Sequence, residues 1–239
     1  MSKYKNIFTL FIAASLLFAF GCEDPEDAFD PKNPQLSEDA ILGTTNSAQK
    51  VLDGAERQLA LAMNEVIINA EIASDNYTNV ATFFNQFLDD LNVDPTDDDL
   101  DDMQFDIHRL RELAVAGLTT FGPADPNYTP NQEAEFNFMA GFSHLLAGEL
   151  FKSLPAMPAG PVMSPTDHLN AALRYFNDGL AVATEPFTQA SLQLGIARAH
   201  YGLGNQSEAV TAADAAIVLD PAFIRYANFD AVNGPTNTM

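Results

Sequence analysis

The residue with the most obvious chemistry is Cys22, the only cysteine of the 239-residue chain. It follows directly after an apolar run that extends from Ile7 to Phe20. A thiol can act as a nucleophile, form a disulfide bond or carry an acyl group. A single cysteine excludes an internal disulfide bond. Because Cys22 lies outside the predicted folded domain, a catalytic thiol is also excluded, and attachment of a lipid is the chemistry that fits its position.

The residues before Cys22 have the organisation of a secretory signal. Lys3 and Lys5 form a short positive region, and the apolar run that follows is too short to span a bilayer as a permanent helix. The pair Gly21-Cys22 resembles the lipobox of bacterial lipoproteins. That resemblance implies cleavage after residues 1–21 and a diacylglyceryl group on Cys22, which anchors the protein to a membrane. The alternative is an ordinary signal peptide with a chance cysteine.

Residues 22–44 are predicted to form an acidic, proline-rich tether. The sequence EDPED follows the cysteine, and the plain interpretation of these acids is the start of a solvated linker. The alternative comes from a resemblance to Gram-negative lipoproteins in which acidic residues after the cysteine direct the protein to the outer leaflet of the outer membrane. We therefore expect a lipid-anchored protein of the outer membrane, exposed at the cell surface, with the periplasmic face as the alternative.

The other residues that could do chemistry are not spaced for it. The four histidines lie on separate predicted helices and lack the spacing of a zinc site: His108, His144, His168 and His200. No phosphate-binding loop, dinucleotide fingerprint or nucleophile motif occurs in the sequence. We therefore expect no metal, no cofactor, no catalytic residue and no enzymatic activity.

The acidic stretch at residues 94–106, DPTDDDLDDMQFD, suggests calcium because Asp97, Asp99 and Asp101 alternate as ligands could. The turn glycine and the closing glutamate of an EF-hand loop are absent from this stretch. The stronger interpretation is that these carboxylates precede a helix that begins near Met103 and stabilise its N-terminus.

Composition narrows the choice of partners. The chain has 11 lysines and arginines against 33 aspartates and glutamates, which gives a formal charge of −22 at pH 7. A surface this acidic repels phosphate, so we expect no nucleic acid as a partner. Hydrophobic residues make up 47% of the chain, which is enough for a large core. The lack of tryptophan weakens a glycan-binding platform, because stacking on sugars favours its broad ring.

Apolar residues recur at helical spacing from about residue 45 onward, and no stretch alternates convincingly with period two. Seven apolar helix faces are predicted, and they include in turn Leu59, Phe87, Leu110, Leu146, Phe176, Ile196 and Ala213. We therefore predict an all-α domain over residues 45–230 with little or no sheet, followed by a disordered tail over residues 231–239.

The clearest repeat lies around Gly204, in the sequence LQLGIARAHYGLGNQSEAVTAADAAIVLDP. Ala197 precedes this glycine by seven residues, Ala209 and Ala216 follow it by five and twelve, and Pro221 follows it by seventeen. This pattern resembles a tetratricopeptide repeat, in which small residues let two helices approach closely and proline ends the second. The alternative is a generic alanine-rich helical hairpin.

The order of these features resembles the SusD/RagB family of nutrient-uptake lipoproteins. After the lipoprotein signal, residues 46–77, NSAQKVLDGAERQLALAMNEVIINAEIASDNY, resemble the opening helical pair of that family. Residues 133–155, EAEFNFMAGFSHLLAGELFKSLP, resemble its aromatic-rich helix and proline loop, with Lys152-Ser153 where the family has Gly-Asp. The tetratricopeptide unit then follows in the expected place, so the resemblance covers residues 45–225 and implies a tetratricopeptide-like, SusD-like helical core.

The resemblance implies a non-enzymatic role beside a TonB-dependent outer-membrane transporter of the SusC kind, on which the helical part docks. It also implies capture of a nutrient, either a glycan or a peptide, at the cell surface. Two alternatives stay open. One is a tetratricopeptide lipoprotein adaptor that scaffolds an envelope protein complex and has no small ligand. The other is a truncated open reading frame without independent function, because members of the family are usually longer and this chain would be a short form.

Three tyrosines near predicted helix breaks could stack on a ligand: Tyr77, Tyr128 and Tyr226. Most of the 18 phenylalanines lie instead at core-spaced positions. Loop tyrosines without such a role are common, so the ligand-binding residues stay unassigned and Cys22 is the one predicted site residue.

Overall fold

The fold is known from a computed structural model that describes residues 41–77, 88–91, 98–157 and 159–229. Of these residues 74% are helical, and the part of the chain that the structure describes contains one two-stranded sheet. The predicted all-α class with little sheet is therefore confirmed.

Several predicted features lie outside the described residues. They are the signal peptide with Cys22, the tether up to residue 40, the tail over residues 231–239 and Phe87 of the second apolar face. The described helices all belong to one compact unit, Leu42–Met239. Within the described ranges, no helix combines the length and the apolar content that crossing a membrane requires.

Six helices of 14 to 27 residues form the described fold. They are α1, Ser47–Ala73; α2, Asp98–Ala116; α3, Pro130–Leu150; α4, Pro165–Val182; α5, Pro186–Gly202; and α6, Gln206–Leu219. A π-helical turn, Gly117–Phe121, and a single helical turn, Gly122–Ala124, follow α2. In the proline-rich loop between α3 and α4, strand β1, Leu154–Pro155, pairs antiparallel with β2, Val162–Met163.

Two helices begin at capping boxes that the sequence encodes. The Thr129 hydroxyl accepts a hydrogen bond from the backbone N–H of Gln132 at 3.2 Å, and the Gln132 side chain accepts one from the Thr129 N–H at 3.0 Å. Ser164 and Asp167 make the same reciprocal pair at the start of α4. Proline follows each cap at the first helical position, where no N–H is needed. The caps fix where α3 and α4 begin.

Three helical hairpins, α1–α2, α3–α4 and α5–α6, stack in chain order, and α3 also packs against both α1 and α5. A tetratricopeptide-like array requires this arrangement, because each hairpin buries its apolar face on the next. Gly204 has a φ of 81° in the turn between α5 and α6, a value that favours glycine. Ala197, Ala209 and Ala216 are buried, as the repeat pattern predicts.

Packing is tight around Phe176 of α4, which is fully buried. A Cβ atom on Gly141 of α3 would lie 2.6 Å from the Phe176 ring, and a Cβ atom on Gly195 of α5 would also lie 2.6 Å from it. Glycine is required at both positions, because a methyl group would overlap the ring. Phe176 therefore joins three helices that belong to two hairpins.

Two details differ from the sequence predictions. α2 begins at Asp98 and not near Met103, because Leu100 and Met103 both pack on the cluster that contains Ile107. The first turn is thus held by apolar contacts as well as by its acidic residues. Ile217, predicted on an apolar face, is 57% exposed because no described helix covers the outer side of α6.

Candidate functional site

An open cleft of about 720 Å³ lies along the helical array. It is lined by residues of α1, α3, α5 and α6 and by the C-terminal segment, residues 221–229. Ligand pockets in proteins have volumes of about 300–1,000 Å³. The cleft therefore has the size of a small-ligand or short-peptide site.

The lining of the cleft is apolar and aromatic. Its aromatic side chains are Phe138, Phe142, Tyr201, Phe223 and Tyr226. Among the described residues that line it, none is an acid, an amide, a histidine or a cysteine. Tyr201 is 74% exposed and Tyr226 is 70% exposed. Large apolar side chains that are clustered and exposed in this way mark interaction sites.

Two arginines line the cleft, and both are paired. Arg198 holds Glu149 through two contacts, with nitrogen–oxygen distances of 3.1 and 2.6 Å, and lies 5.6 Å from the centre of the Phe142 ring. Arg225 pairs with Glu135 at 2.7 Å. Because both charges are balanced, the cleft as a whole favours apolar groups.

Residues 221–229, called the strap below, contain no helix or strand and border the cleft. Burial alternates along the strap. Phe223, Arg225, Ala227 and Phe229 are half-buried, whereas the residues between them are exposed. A period of two is what an extended chain shows when it lies along a surface. The strap therefore contacts the helices as an extended peptide would.

Arg225 anchors the strap through four side chains, called the cage below. Its Nη2 donates to Glu135 Oε2 at 2.7 Å, and its Nη1 donates to Ser191 Oγ at 3.1 Å. Its guanidinium carbon lies 4.0 Å from the centre of the Phe138 ring and 5.6 Å from that of Phe187. Both are cation–π distances. The guanidinium is therefore held by hydrogen bonds in its plane and by aromatic rings against its face.

Glu135 is positioned for a cation by the helices. It is 8% exposed, and its Oε1 accepts a 2.7 Å hydrogen bond from Thr188, which in turn accepts one from Asn131 at 3.2 Å. Burial raises the pKa of Glu56 of α1, while the charge of Arg225 lowers it and that of Glu135 raises it. Arg225 is the cation that pairs with Glu135, and a buried carboxylate without a cation is strongly unfavourable.

A second polar cluster lies where α3 meets α4. The four histidines are on separate helices, as predicted, but Nδ1 of His144 and Nδ1 of His168 are 2.9 Å apart. His168 Nε2 lies 2.8 Å from the carbonyl oxygen of Leu154. Because a neutral imidazole has one N–H, His168 donates to Leu154 and accepts from His144. Their 24-residue separation does not predict this contact, which arises because the proline-rich loop returns α4 onto α3.

Arg111 of α2 completes this histidine cluster. It is 4% exposed, its Nε donates to Ser143 Oγ at 3.2 Å, and its Nη1 donates to the carbonyl of Ala156. Arg111 Nη2 and His108 Nδ1 are buried without a hydrogen-bond partner among the described residues. Burial lowers the pKa of Arg111 to about 10 and that of His144 to about 2. At pH 7 the cluster is thus one buried cation beside neutral imidazoles.

No group of three side chains in the described ranges has the geometry of a metal site, and the histidine cluster is no exception. None of its residues lines the cleft. The cluster therefore contributes to the packing of α2, α3 and α4, and its buried imidazoles stay neutral at pH 7.

Of the three tyrosines considered from the sequence, Tyr226 lines the cleft. Tyr128 packs on Phe136 at a ring distance of 6.5 Å, and its hydroxyl is buried without a partner in the described part of the chain. Tyr77 is 46% exposed just after α1 and does not line the cleft. Sequence patterns do not predict Arg225, because its partner Glu135 lies 90 residues earlier.

Comparison with known proteins adds no family: no family model, no curated protein and no solved structure matches this chain. What the cleft binds must therefore be inferred from its lining, its volume and its charge.

Proposed function

We propose that this protein is a non-enzymatic, lipid-anchored binding protein of the outer membrane. In this role it captures a nutrient in the cleft and docks on a TonB-dependent transporter, as the resemblance to the SusD/RagB family implies. The cleft carries the proposal, because it is open, apolar and large enough for a ligand. The part of its lining that the structure describes offers no carboxylate, imidazole or thiol for catalysis, so binding through shape and apolar contact is the function that it supports best.

Between the two expected nutrient classes, the lining favours a peptide over a glycan. A sugar carries many hydroxyl groups, and each hydroxyl buried without a partner costs about 1–3 kcal/mol. The polar side chains of the cleft are Ser191, two tyrosines and two arginines that are already paired. Apolar peptide side chains need no such partners and gain about 25 cal/mol for each Å² that they bury.

Cys22 supplies the membrane anchor in this proposal. Each buried CH₂ group of an acyl chain contributes about 0.8 kcal/mol, so two or more chains hold a protein stably where one does not. The charge of −22 does not attract the protein to anionic headgroups, so anchoring depends on the lipid.

One observation favours the adaptor function instead. Ile217 is 57% exposed and Val218 is 84% exposed on α6, the last helix of the described array. A repeat array needs a polar outer face on its terminal unit or a partner that covers that face. A tetratricopeptide adaptor that scaffolds an envelope complex would dock through this surface of α6.

The test is affinity purification of the tagged, full-length protein from gently solubilised outer membranes, with partners identified by mass spectrometry. Recovery of a TonB-dependent transporter in stoichiometric amount supports nutrient capture. Recovery of assembly or peptidoglycan machinery without a transporter contradicts it and supports the adaptor.

The variant Val218→Asp distinguishes the two functions further. It places a charge on the outer face of α6 and does not alter a residue that lines the cleft. An adaptor that docks through this face loses its partner in the variant, whereas ligand capture in the cleft is retained.

A further inference from the structure

The strap lies in a site whose chemistry is more specific than apolar capture requires. We propose that the cage and the adjoining cleft bind a peptide that carries an arginine between apolar residues, and that the strap occupies this site in cis as a displaceable substitute. This inference rests on the proposed function, ligand capture, and names the class of ligand.

The cage matches a guanidinium group in particular. Glu135 and Ser191 accept hydrogen bonds from two different guanidinium nitrogens, while the Phe138 ring lies 4.0 Å from the guanidinium carbon. A planar guanidinium can donate in its plane and stack on its face at the same time, whereas a lysine ammonium cannot. The cage therefore selects arginine among the cationic residues.

The cage is built by the helices and not by the strap. Thr188 of α5 fixes Glu135 through a 2.7 Å hydrogen bond, and Phe138 stacks on Phe142 with ring centroids 5.6 Å apart. Neither contact involves the strap, so the cage persists when the strap leaves. Departure of Arg225 would leave the buried Glu135 without its cation, so the empty cage favours another cation.

The strap itself is held at few points. Among the described residues, all hydrogen bonds of residues 224–229 belong to Arg225. Phe223 adds a ring contact with Phe187 at 5.1 Å, while Ile224 and Tyr226 are 59% and 70% exposed. A segment with so few contacts opens readily. A peptide that repeats its contacts and also fills the open cleft can therefore replace it.

Electrostatics favour the same class of ligand. The carboxylate of Glu56 lies beside the cage, because Glu56, Phe187 and Arg225 line one small pocket. The formal charge of −22 attracts cations to the molecule as a whole. A cationic peptide is thus drawn to the surface and then held by the cage, while an anionic peptide is repelled at both stages.

The test uses the full-length chain and a fluorescent peptide with the sequence of residues 222–229, AFIRYANF. The variant Arg225→Ala empties the cage without shortening the chain. We expect it to bind the peptide about tenfold or more tightly than the wild type does, because the wild-type strap competes. Replacement of the arginine of the peptide by glutamine should weaken binding to the variant by about tenfold or more. Fluorescence anisotropy at low ionic strength measures both.

Arg109→Ala is the matched control. Arg109 pairs with Glu112 on the exposed surface of α2 at 3.4 Å and does not line the cleft. We expect it to bind the peptide as weakly as the wild type does. If Arg225→Ala does not fold, Arg225→Lys keeps a positive charge in the cage but loses the planar contacts, and its affinity for the peptide should lie above that of the wild type.

Three results would overturn the proposal. The first is equal binding of the arginine and glutamine peptides, and the second is no binding to the folded Arg225 variants. The third is a wild-type dimer that Arg225→Ala abolishes, which would identify the strap of a second copy as the occupant. Each of these results leaves recovery of a transporter unaffected. Loss of the transporter with retained peptide binding would contradict the proposed docking alone.

Discussion

At the scale of single residues, burial of the histidine cluster makes stability depend on pH. Burial lowers the pKa of His144 to about 2 and also lowers the pKa values of His108 and His168. Unfolded histidines titrate near pH 6.5. Below that pH the unfolded chain takes up protons that the folded chain excludes, so folding stability decreases as the pH falls.

Above about pH 7 we expect the histidines to leave the free energy of unfolding unchanged. Below pH 6.5, His144 alone should lower it by about 1.4 kcal/mol per pH unit. Burial raises the pKa values of Glu56 and Asp106. Protonation of these carboxylates therefore stabilises the folded state as the pH falls, which opposes the effect of the histidines. Urea denaturation at pH 7.5 and 5.5, on the wild type and on His144→Gln, isolates the histidine. A pH dependence that is identical in the two proteins contradicts this assignment.

The residues of both polar sites show what a sequence pattern can and cannot predict. Helical periodicity places the four histidines on separate helices correctly, because it depends on neighbours within one turn. The contact between His144 and His168 depends on how two helices pack, so no local pattern contains it. In the strap, burial alternates from residue to residue, but the sequence does not alternate between apolar and polar residues. The half-buried position is the charged Arg225, and its apolar neighbour Ile224 is 59% exposed.

At the scale of secondary-structure elements, close packing around Phe176 predicts a specific sensitivity. Gly141→Ala and Gly195→Ala should each lower the free energy of unfolding by about 1–3 kcal/mol, because the added methyl group overlaps the Phe176 ring. Gly54→Ala in α1 is the control. A Cβ atom there meets nothing within 4 Å, so the change should be neutral or stabilising by up to about 1 kcal/mol. Chemical denaturation measures all three, and equal losses would contradict the packing argument.

Element boundaries were less predictable than element type. The caps at Thr129 and Ser164 depend only on local sequence, because a serine or threonine followed by proline favours the start of a helix. The start of α2 at Asp98 cannot be predicted from local sequence, because Leu100 is held by apolar contacts with other elements. The cleft is a product of the same long-range packing, since four helices and the strap contribute to it.

At the scale of the whole molecule, the proposed lipid anchor makes the location of the protein depend on the sulfur atom of Cys22. Cys22→Ser should move the protein from the membrane fraction to the aqueous fraction and abolish incorporation of a labelled fatty acid, because the thiol is the only attachment point. Arg109→Ala, which leaves the thiol intact, should stay in the membrane fraction. Membrane association that Cys22→Ser does not change would rule out anchoring through this cysteine.

The position of Phe176 also affects how the molecule opens. Repeat arrays often unfold one unit at a time, because each unit contacts only its neighbours. Here one buried ring is shared by α3, α4 and α5, so the second and third hairpins form a single cooperative block. Amide protons in these three helices should exchange with solvent together, and those of the strap should exchange first. A ligand with an arginine would then reach the cage by displacement of the strap, without any separation of the hairpins.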